Sequence, residues 1–258
     1  MQKELPNLRR ALELLLEAGE LDAATDMADS IARFLNTFGL LRERDELRRR
    51  VDKVVTAKGT QESGGLTFAE LLRESGLGGD ELQRGKIDAA YTRFSTLLAR
   101  IEALPEGAPL GPGSYQHCAT LHLLGRCLGT SGHLATAERS LRKALTVIEA
   151  LLSQQPENQN YLHERSVALT DLADVLTDQG KYSQAREAYE EALEMAKQLG
   201  DVRQEGVALL QLGTLALEQR DYGEAQSRYK TAPQLFQRLG EPEHEAIVWH
   251  QLGMVAQE

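Results

Sequence analysis

Val207–Gln219 reads VALLQLGTLALEQ, Arg220-Asp221 interrupts it, and Tyr222–Ala232 follows as YGEAQSRYKTA. In the first segment Leu209, Leu212, Leu215 and Ala216 recur at spacings of three and four, which gives a helix one buried stripe. Gly213 is small where a neighbouring helix comes close. The polar pair then breaks the pattern, and Tyr222, Ala225, Tyr229 and Ala232 make a second helical stripe. Two amphipathic helices joined by a tight turn form a hairpin. Gly240, followed by an acidic residue, is a helix stop whose glycine tolerates positive φ.

The same text recurs at a shift of 40 residues. Leu169, Leu172, Tyr182, Ala185, Tyr189, Ala192, Leu199 and Gly200 fall on Leu209, Leu212, Tyr222, Ala225, Tyr229, Ala232, Leu239 and Gly240. A further copy opens after Gly240, with Gln251-Leu252-Gly253 repeating Gln211-Leu212-Gly213 and Ala256 repeating Ala216. One copy earlier, at a shift of 48, Leu121, Leu124, Leu134, Ala137, Leu141 and Ala144 hold the same frame. The eight extra residues fit a longer helix and loop around Ala150–Asn160. Periods of 20–50 residues are characteristic of solenoids, in which each unit buries its apolar face against the next.

Composition agrees. The chain has 43 Leu against 10 Val and 5 Ile, and only 5% aromatic residues, so helix formers dominate and a sizeable sheet is not expected. Charged residues make up 26% and apolar residues 41%, the balance of a folded chain. The net charge is −10, of which −2 falls in residues 1–104 and −8 in 105–258. That field repels nucleic acid. No apolar run of membrane-spanning length and no signal-peptide core stand in the sequence, so the expectation is a cytoplasmic protein with Cys118 and Cys127 reduced.

At these positions the chain resembles the tetratricopeptide repeat family. Trp249, Leu252-Gly253 and Ala256 fit the family's first helix. Tyr182/Ala185/Tyr189/Ala192 and Tyr222/Ala225/Tyr229/Ala232 fit its second. The resemblance covers about 115–258 and implies an all-α, right-handed helical-hairpin solenoid, with about twelve helices over the whole chain. The sequence departs from the family in its period of 40 rather than about 34. It also has Ala173 where glycine is usual, and Pro233 inside a second helix, where a missing N–H should kink or distort it.

The first half is less regular. Leu8, Leu12, Leu15 and Leu16, a turn at Gly19-Glu20, then Leu21, Ala24, Ala28 and Ile31 read as one hairpin. Leu40–Lys58 reads as an arginine-rich amphipathic helix, Thr60–Gly65 as a linker, and Leu66–Leu77 as a short helix ending before Gly78-Gly79. Gly85-Lys86-Ile87, Ala90, Phe94 and Leu97 resemble the turn and second helix of a degenerate repeat. The expected layout is degenerate hairpins over 1–104 with a linker near 59–65, a Pro/Gly linker at 105–113, and repeats at 114–155, 160–199, 200–239 and, in part, 240–258. Glu4–Leu12 and Leu14–Gly19 also look like the start of helical arrays that follow the nucleotide-binding part of bacterial STAND-type signalling ATPases. That likeness implies a sensor or autoinhibitory arm of a longer protein. The final copy ends after one helix, which predicts truncation, with Trp249, Leu252 and Val255 left uncovered.

Chemistry-bearing motifs are few. The sequence has no G-x-x-x-x-G-K-[ST] loop, no H-E-x-x-H and no C-x-x-C. Gly76-Leu77-Gly78-Gly79 and Gly64-Gly65 read as linkers. His117, Cys118, His122 and Cys127 lack the convergent spacing of a zinc site, and a Cys118–His122 pair inside a helix has no oxyanion hole. Neither metal, cofactor nor catalytic residues are therefore expected. Arg42, Arg44, Arg48, Arg49 and Arg50 are interleaved with Glu43, Asp45, Glu46 and Asp52, so they read as a solvated or domain-contacting face with pairs such as Glu46–Arg50.

What the resemblance implies for function is a groove on the inward face of the first helices. Carried over residue by residue, it is lined by His122, Arg126, Thr170, Asp174, Asp178, Leu210, Thr214, Leu217, His250 and Met254. The Lys and Asn that clamp a terminal carboxylate in one subclass are missing from these positions. Leu210, Leu217 and Met254 beside Asp174 and Asp178 predict a protein or peptide partner with an apolar anchor and a basic residue. Intramolecular filling of the groove, by the arginine-rich helix or another domain, is the competing expectation. The sequence is silent on oligomeric state.

Overall fold

The structure, a computed structural model, describes residues 5–20, 24, 27, 28, 31, 35, 40–59 and 66–256. Among the described residues every regular element is an α-helix: α1 (Leu5–Ala18), α2 (Leu41–Gly59), α3 (Phe68–Gln83), α4 (Ile87–Glu102), α5 (Tyr115–Thr130), α6 (Leu134–Gln154), α7 (Gln159–Asp178), α8 (Tyr182–Leu199), α9 (Val202–Glu218), α10 (Tyr222–Leu239) and α11 (Pro242–Val255). The chain divides into two compact units, Met1–Pro112 and Gly113–Glu258.

In the first unit Leu12 and Leu16 of α1 close over Ala24, Ala28, Ile31, Leu35 and Val51. Leu21 and the linker at Thr60–Gly65 lie outside the described residues. The arginine-rich helix α2 spends its charges on neighbours within the unit. Arg50 reaches Glu13 at 2.5 Å, Glu43 pairs with Arg9, and Arg44 approaches Asp80 at 3.6 Å. Arg42–Glu46 is its internal i,i+4 pair, at 3.4 Å. Helix α3 starts on a capping box, with Thr67 and Glu70 exchanging hydrogen bonds between side chain and backbone.

The expected stop at Gly78-Gly79 is not where α3 ends. The helix continues to Gln83, because Gly78 is a packing site and not a break: a β-carbon there would lie 2.6 Å from the Phe94 ring of α4. Burial of that ring offsets the roughly 1 kcal/mol that glycine costs a helix interior.

The second unit is three complete hairpins, α5–α6, α7–α8 and α9–α10, followed by α11. Val255, predicted to be uncovered, is buried because its side of α11 packs on α10. The longer first hairpin predicted from the 48-residue shift is present, as a 21-residue α6 with a loop at Gln155–Asn158. Gly200 and Gly240 end α8 and α10 in the left-handed region, at φ of 67° and 69°. The stripes are buried as their spacing requires: Leu209, Leu212, Leu215 and Ala216 on α9 face Ala225, Tyr229 and Ala232 on α10. Tyr182 and Tyr222 stand at the first helical position and are only partly covered. Helix α10 runs through Pro233 from Tyr222 to Leu239, so the proline does not interrupt it. Its ring is buried, and the loss is confined to one N–H.

Successive first helices (α5, α7, α9, α11) touch one another, whereas successive second helices approach each other far less. Long side chains bridge the wider side, with Arg186 reaching from α8 to Glu224 of α10 at 2.6 Å. The stack therefore bends toward its first helices.

Candidate functional site

The inner side of that bend carries a buried ionic knot between α5 and α7. His122 is 4% exposed; its Nδ1 lies 2.8 Å from Glu164 Oε1 and its Nε2 2.6 Å from Asp171 Oδ2. Arg126 Nε approaches the same Asp171 oxygen at 3.2 Å, and Tyr115, stacked on Tyr161, places its hydroxyl 3.5 Å from Glu164. Burial alone would lower the His122 pKa, but hydrogen bonds to Asp171 and Glu164 and their charges hold it up at about 9. The ring is thus an imidazolium at neutral pH and donates from both nitrogens. Burial works to raise the Glu164 pKa, and the His122 contacts outweigh it, leaving that carboxyl below its ordinary range.

One turn further along α7, Asp174 accepts from Tyr189 Oη of α8 at 2.5 Å and from Gln211 Nε2 of α9 at 2.8 Å. Burial, reinforced by Asp171 and Asp178, raises its pKa to about 7 despite those two hydrogen bonds. The repeat-equivalent pair in the next hairpin is neutral: Tyr229 Oη donates to Thr214 Oγ1 at 3.0 Å.

The ten residues carried over from the resemblance divide into two sets. His122 and Thr170 are buried, and Thr170 bonds the Ser166 carbonyl of its own helix. Asp174 is half-buried and committed to Tyr189 and Gln211. His122 and Asp174 thus tie neighbouring helices together, and Thr170 is buried. Arg126, Asp178, His250 and Met254 are exposed and Leu210 and Leu217 half-buried, so these reach solvent; half-buried Thr214 accepts from Tyr229 and belongs with Asp174. Asp178 and its repeat-equivalent Glu218 are exposed and form no ion pair among the described residues.

The sequence reading missed Glu164 and Asp171. They stand seven residues apart, two turns of α7, and therefore share a face. A carboxylate pair at that spacing, one helix on from a lone histidine, was the available signal.

The cysteines behave as small apolar groups. Cys118 is fully buried, with Sγ 3.3 Å from the Ala144 carbonyl, and burial pushes its thiol well above the ordinary range. Burial raises Cys127 to about 11. Both ring nitrogens of His122 are committed to carboxylates, so neither serves Cys118 as a base. Among the described residues no group of three or more His, Cys, Asp or Glu side chains is placed to hold a metal ion. In the first unit a groove of about 650 Å³ lies against α3 and α4, but Arg93 there is matched by Glu74 and Glu81, and Arg100 by Glu70. Among the described residues no helix is long and apolar enough to cross a membrane.

An array of helical hairpins bent around its first helices, with small residues seated under aromatic rings, defines the tetratricopeptide class of repeat. The tetratricopeptide repeat family model matches residues 166–199, most of α7 and all of α8. The chain contains a tetratricopeptide repeat, and the hairpins around it repeat its packing. No curated protein matches the sequence. Among solved structures, a Rap protein complexed with competence and sporulation factor superposes with a TM-score of 0.63 at 14% identity, covering 98% of this chain and 71% of that one. BtubC (BKLC) from P. vanneervenii gives 0.58 at 18%, covering 94% and 83%. The Rap conjugation gene regulator of plasmid pLS20, in complex with the Phr* peptide, gives 0.53 at 10%, covering 98% and 74%. At these identities the likeness is one of fold.

Proposed function

We propose that residues 114–258 form a recognition array without chemistry of its own, binding a protein or peptide segment along the inner face of α5, α7, α9 and α11. The carrying observation is that α7 and α9 present half-buried Leu210 and Leu217 and the exposed carboxylates of Asp178 and Glu218. Covering apolar surface gains about 25 cal/mol per Å², and a carboxylate at the edge selects a basic neighbour. The ligand class is a segment with one apolar anchor and a nearby Lys or Arg. Two of the structurally similar proteins are complexes, one with competence and sporulation factor and one with the Phr* peptide, which supports a peptide-sized ligand. The buried knots at His122 and Asp174 fix the helices before a ligand arrives, which lowers the ordering cost of binding.

The test is a peptide array varying anchor and charge, followed by fluorescence polarisation on the strongest binders. Peptides with an apolar residue and Lys or Arg should bind at least about tenfold more tightly than acidic counterparts. Asp178→Lys with Leu210→Glu should abolish that preference while the helical melt stays cooperative. Asp174 is left intact because its carboxyl holds two helices together. Equal binding of basic and acidic peptides, or wild-type capture by the folded double variant, defeats the reading.

A further inference from the structure

Asp174 is bonded through only one of its two oxygens. Tyr189 Oη of α8 and Gln211 Nε2 of α9 both donate to Oδ1, at 2.5 and 2.8 Å. Among the described residues Oδ2 has neither a hydrogen bond nor an ion pair. The carboxyl also faces no cation. The titratable groups around it are Asp171 and Asp178 of its own helix and Tyr189 of α8, with neutral Gln211 on α9. Spacings of three and four residues put Asp171, Asp174 and Asp178 on one stripe of α7. The cations of α5, His122 and Arg126, are taken by Asp171. Asp178, one turn beyond, is exposed and has no ion pair among the described residues. Packing does not require the charge at 174. Thr214 holds the equivalent place one repeat later and takes the equivalent tyrosine, Tyr229, on a hydroxyl at 3.0 Å.

A half-buried carboxyl with one free oxygen and like charges on both sides favours its acid form. We propose that Asp174 keeps a proton on Oδ2 while the groove is empty, and that a Lys or Arg docking beside Asp178 displaces it. The proposal deepens the groove reading above and rests on it for the ligand. The O–H bond of the acid breaks, the proton passes to water, and the carboxylate remains beside the incoming cation. A basic segment therefore meets Asp178 first and gains a second negative charge, one turn away, only on arrival. A neutral or acidic segment leaves the proton in place. Burial, with Asp171 and Asp178 adding to it, raises the Asp174 pKa to about 7, so the exchange falls near neutral pH. Linkage sets the sign. Binding releases a proton, so basic segments bind more tightly as pH rises through about 7, and neutral segments do not.

The proton is measured first, on the protein alone. Aspartate carboxyl carbons are followed by NMR from about pH 5 to about pH 9, and the signal missing from Asp174→Asn is its own. A midpoint near 7 is expected. Asp178→Lys supplies the cation within the chain and should lower that midpoint by at least about one pH unit. The second measurement uses the tightest basic peptide of the peptide array and its Lys/Arg→Gln counterpart, both with blocked termini and without His, Asp or Glu. Between about pH 6 and about pH 8 the basic peptide should gain about fivefold or more in affinity, and its counterpart little. The gain should vanish in Asp174→Asn, which keeps both hydrogen bonds. An Asp174 already ionised at pH 6 overturns the proposal even where basic peptides bind. So does a midpoint unmoved in Asp178→Lys, a pH-independent affinity for the basic peptide, or a gain that survives in Asp174→Asn. Where the midpoint behaves as expected and no basic peptide is preferred, the groove reading has failed while the proton site stands.

Discussion

Tyr229 lies so close over Gly213 that a β-carbon on the glycine would sit 2.4 Å from Tyr229 Cε1, while the tyrosine hydroxyl donates to Thr214, the next residue of α9. One contact sets the spacing of two helices and the other sets their register. The hairpin before it uses Tyr189 on Asp174 in the same way, with Ala173 at the position of Gly213. The glycine is thus tuned to its own ring, and the repeat is a shared geometry with local adjustments.

Gly213→Ala should therefore destabilise the protein, although alanine is the better helix former. Overpacking costs about 1–3 kcal/mol and the propensity gain returns up to about 1, so a net loss near 1–2 kcal/mol is expected. Gly223, whose β-carbon would find only Asp221 Oδ1 at 3.7 Å, is the control. Gly223→Ala should raise stability by about 0.4–1 kcal/mol. Urea unfolding of both variants tests the assignment. Equal shifts in the same direction would reject it.

The hairpin turns give a second test. Gly132, Gly180 and Arg220 occupy repeat-equivalent positions, with φ of 77°, 73° and 59°. Arg220 is the only non-glycine residue at positive φ among the described residues. A side chain in that region costs about 1 kcal/mol or more. Arg220→Gly should then raise the unfolding free energy by about 1 kcal/mol, less a small rise in unfolded-chain entropy. Gly180→Ala should lower it by a similar amount. A destabilised Arg220→Gly would mean that the arginine side chain contributes more than its backbone strain.

Asp174 supplies a pH dependence of known sign. Its folded pKa, raised to about 7 by burial and by Asp171 and Asp178, exceeds the unfolded value, so the fold prefers the protonated acid. The groups around it are Asp171 and Asp178 on its own helix, Tyr189 on α8 and Gln211 on α9; Arg126 on α5 is spent on Asp171. The stability it contributes is complete below about pH 4 and lost as pH rises through about 7. Asn at this position accepts the same two hydrogen bonds without a charge. Asp174→Asn should stabilise the chain by at least about 1 kcal/mol at pH 8 and by little at pH 4. A pH-independent difference between the two proteins would remove the raised pKa from the account.

Helix order and repeat frame were legible because apolar spacing and the 40-residue shift report local packing directly. The Gln-Leu-Gly triplets and Tyr/Ala stripes located the hairpins, and Gly200 and Gly240 their stops. The continuation of α3 through Gly78-Gly79 was not legible, since glycine is both a breaker and a seat for a ring, and only the placement of Phe94 separates the two. The groove positions were assigned by register, which fixes which side of a helix a residue occupies but not what reaches it from the next helix. His122 and Asp174 were therefore read as ligand contacts when their partners, Glu164, Asp171, Tyr189 and Gln211, all come from other helices.

The His122 knot gives the last test, in the alkaline range. The folded pKa near 9 exceeds the unfolded value near 6.5, so its stabilisation is fully present below about 6.5 and is lost as pH climbs through about 9. Glu164 acts in the opposite sense: its pKa is lowered, so its contribution holds above the ordinary carboxylate range and is lost as pH falls. Urea unfolding from about pH 6 to about pH 9.5 should show a stability decline that persists in an Asp174→Asn background, which removes the overlapping titration of Asp174 near pH 7. Replacing the ring by His122→Leu leaves Glu164 buried without a cation and Asp171 with Arg126 alone. The loss at pH 7 should reach about 3–5 kcal/mol, and the slope between pH 6.5 and 9 should flatten. His122→Gln keeps hydrogen bonding without the charge and should flatten the slope too, at a smaller cost at pH 7. A wild-type slope in both variants would place the alkaline decline elsewhere and leave His122 a neutral packing residue.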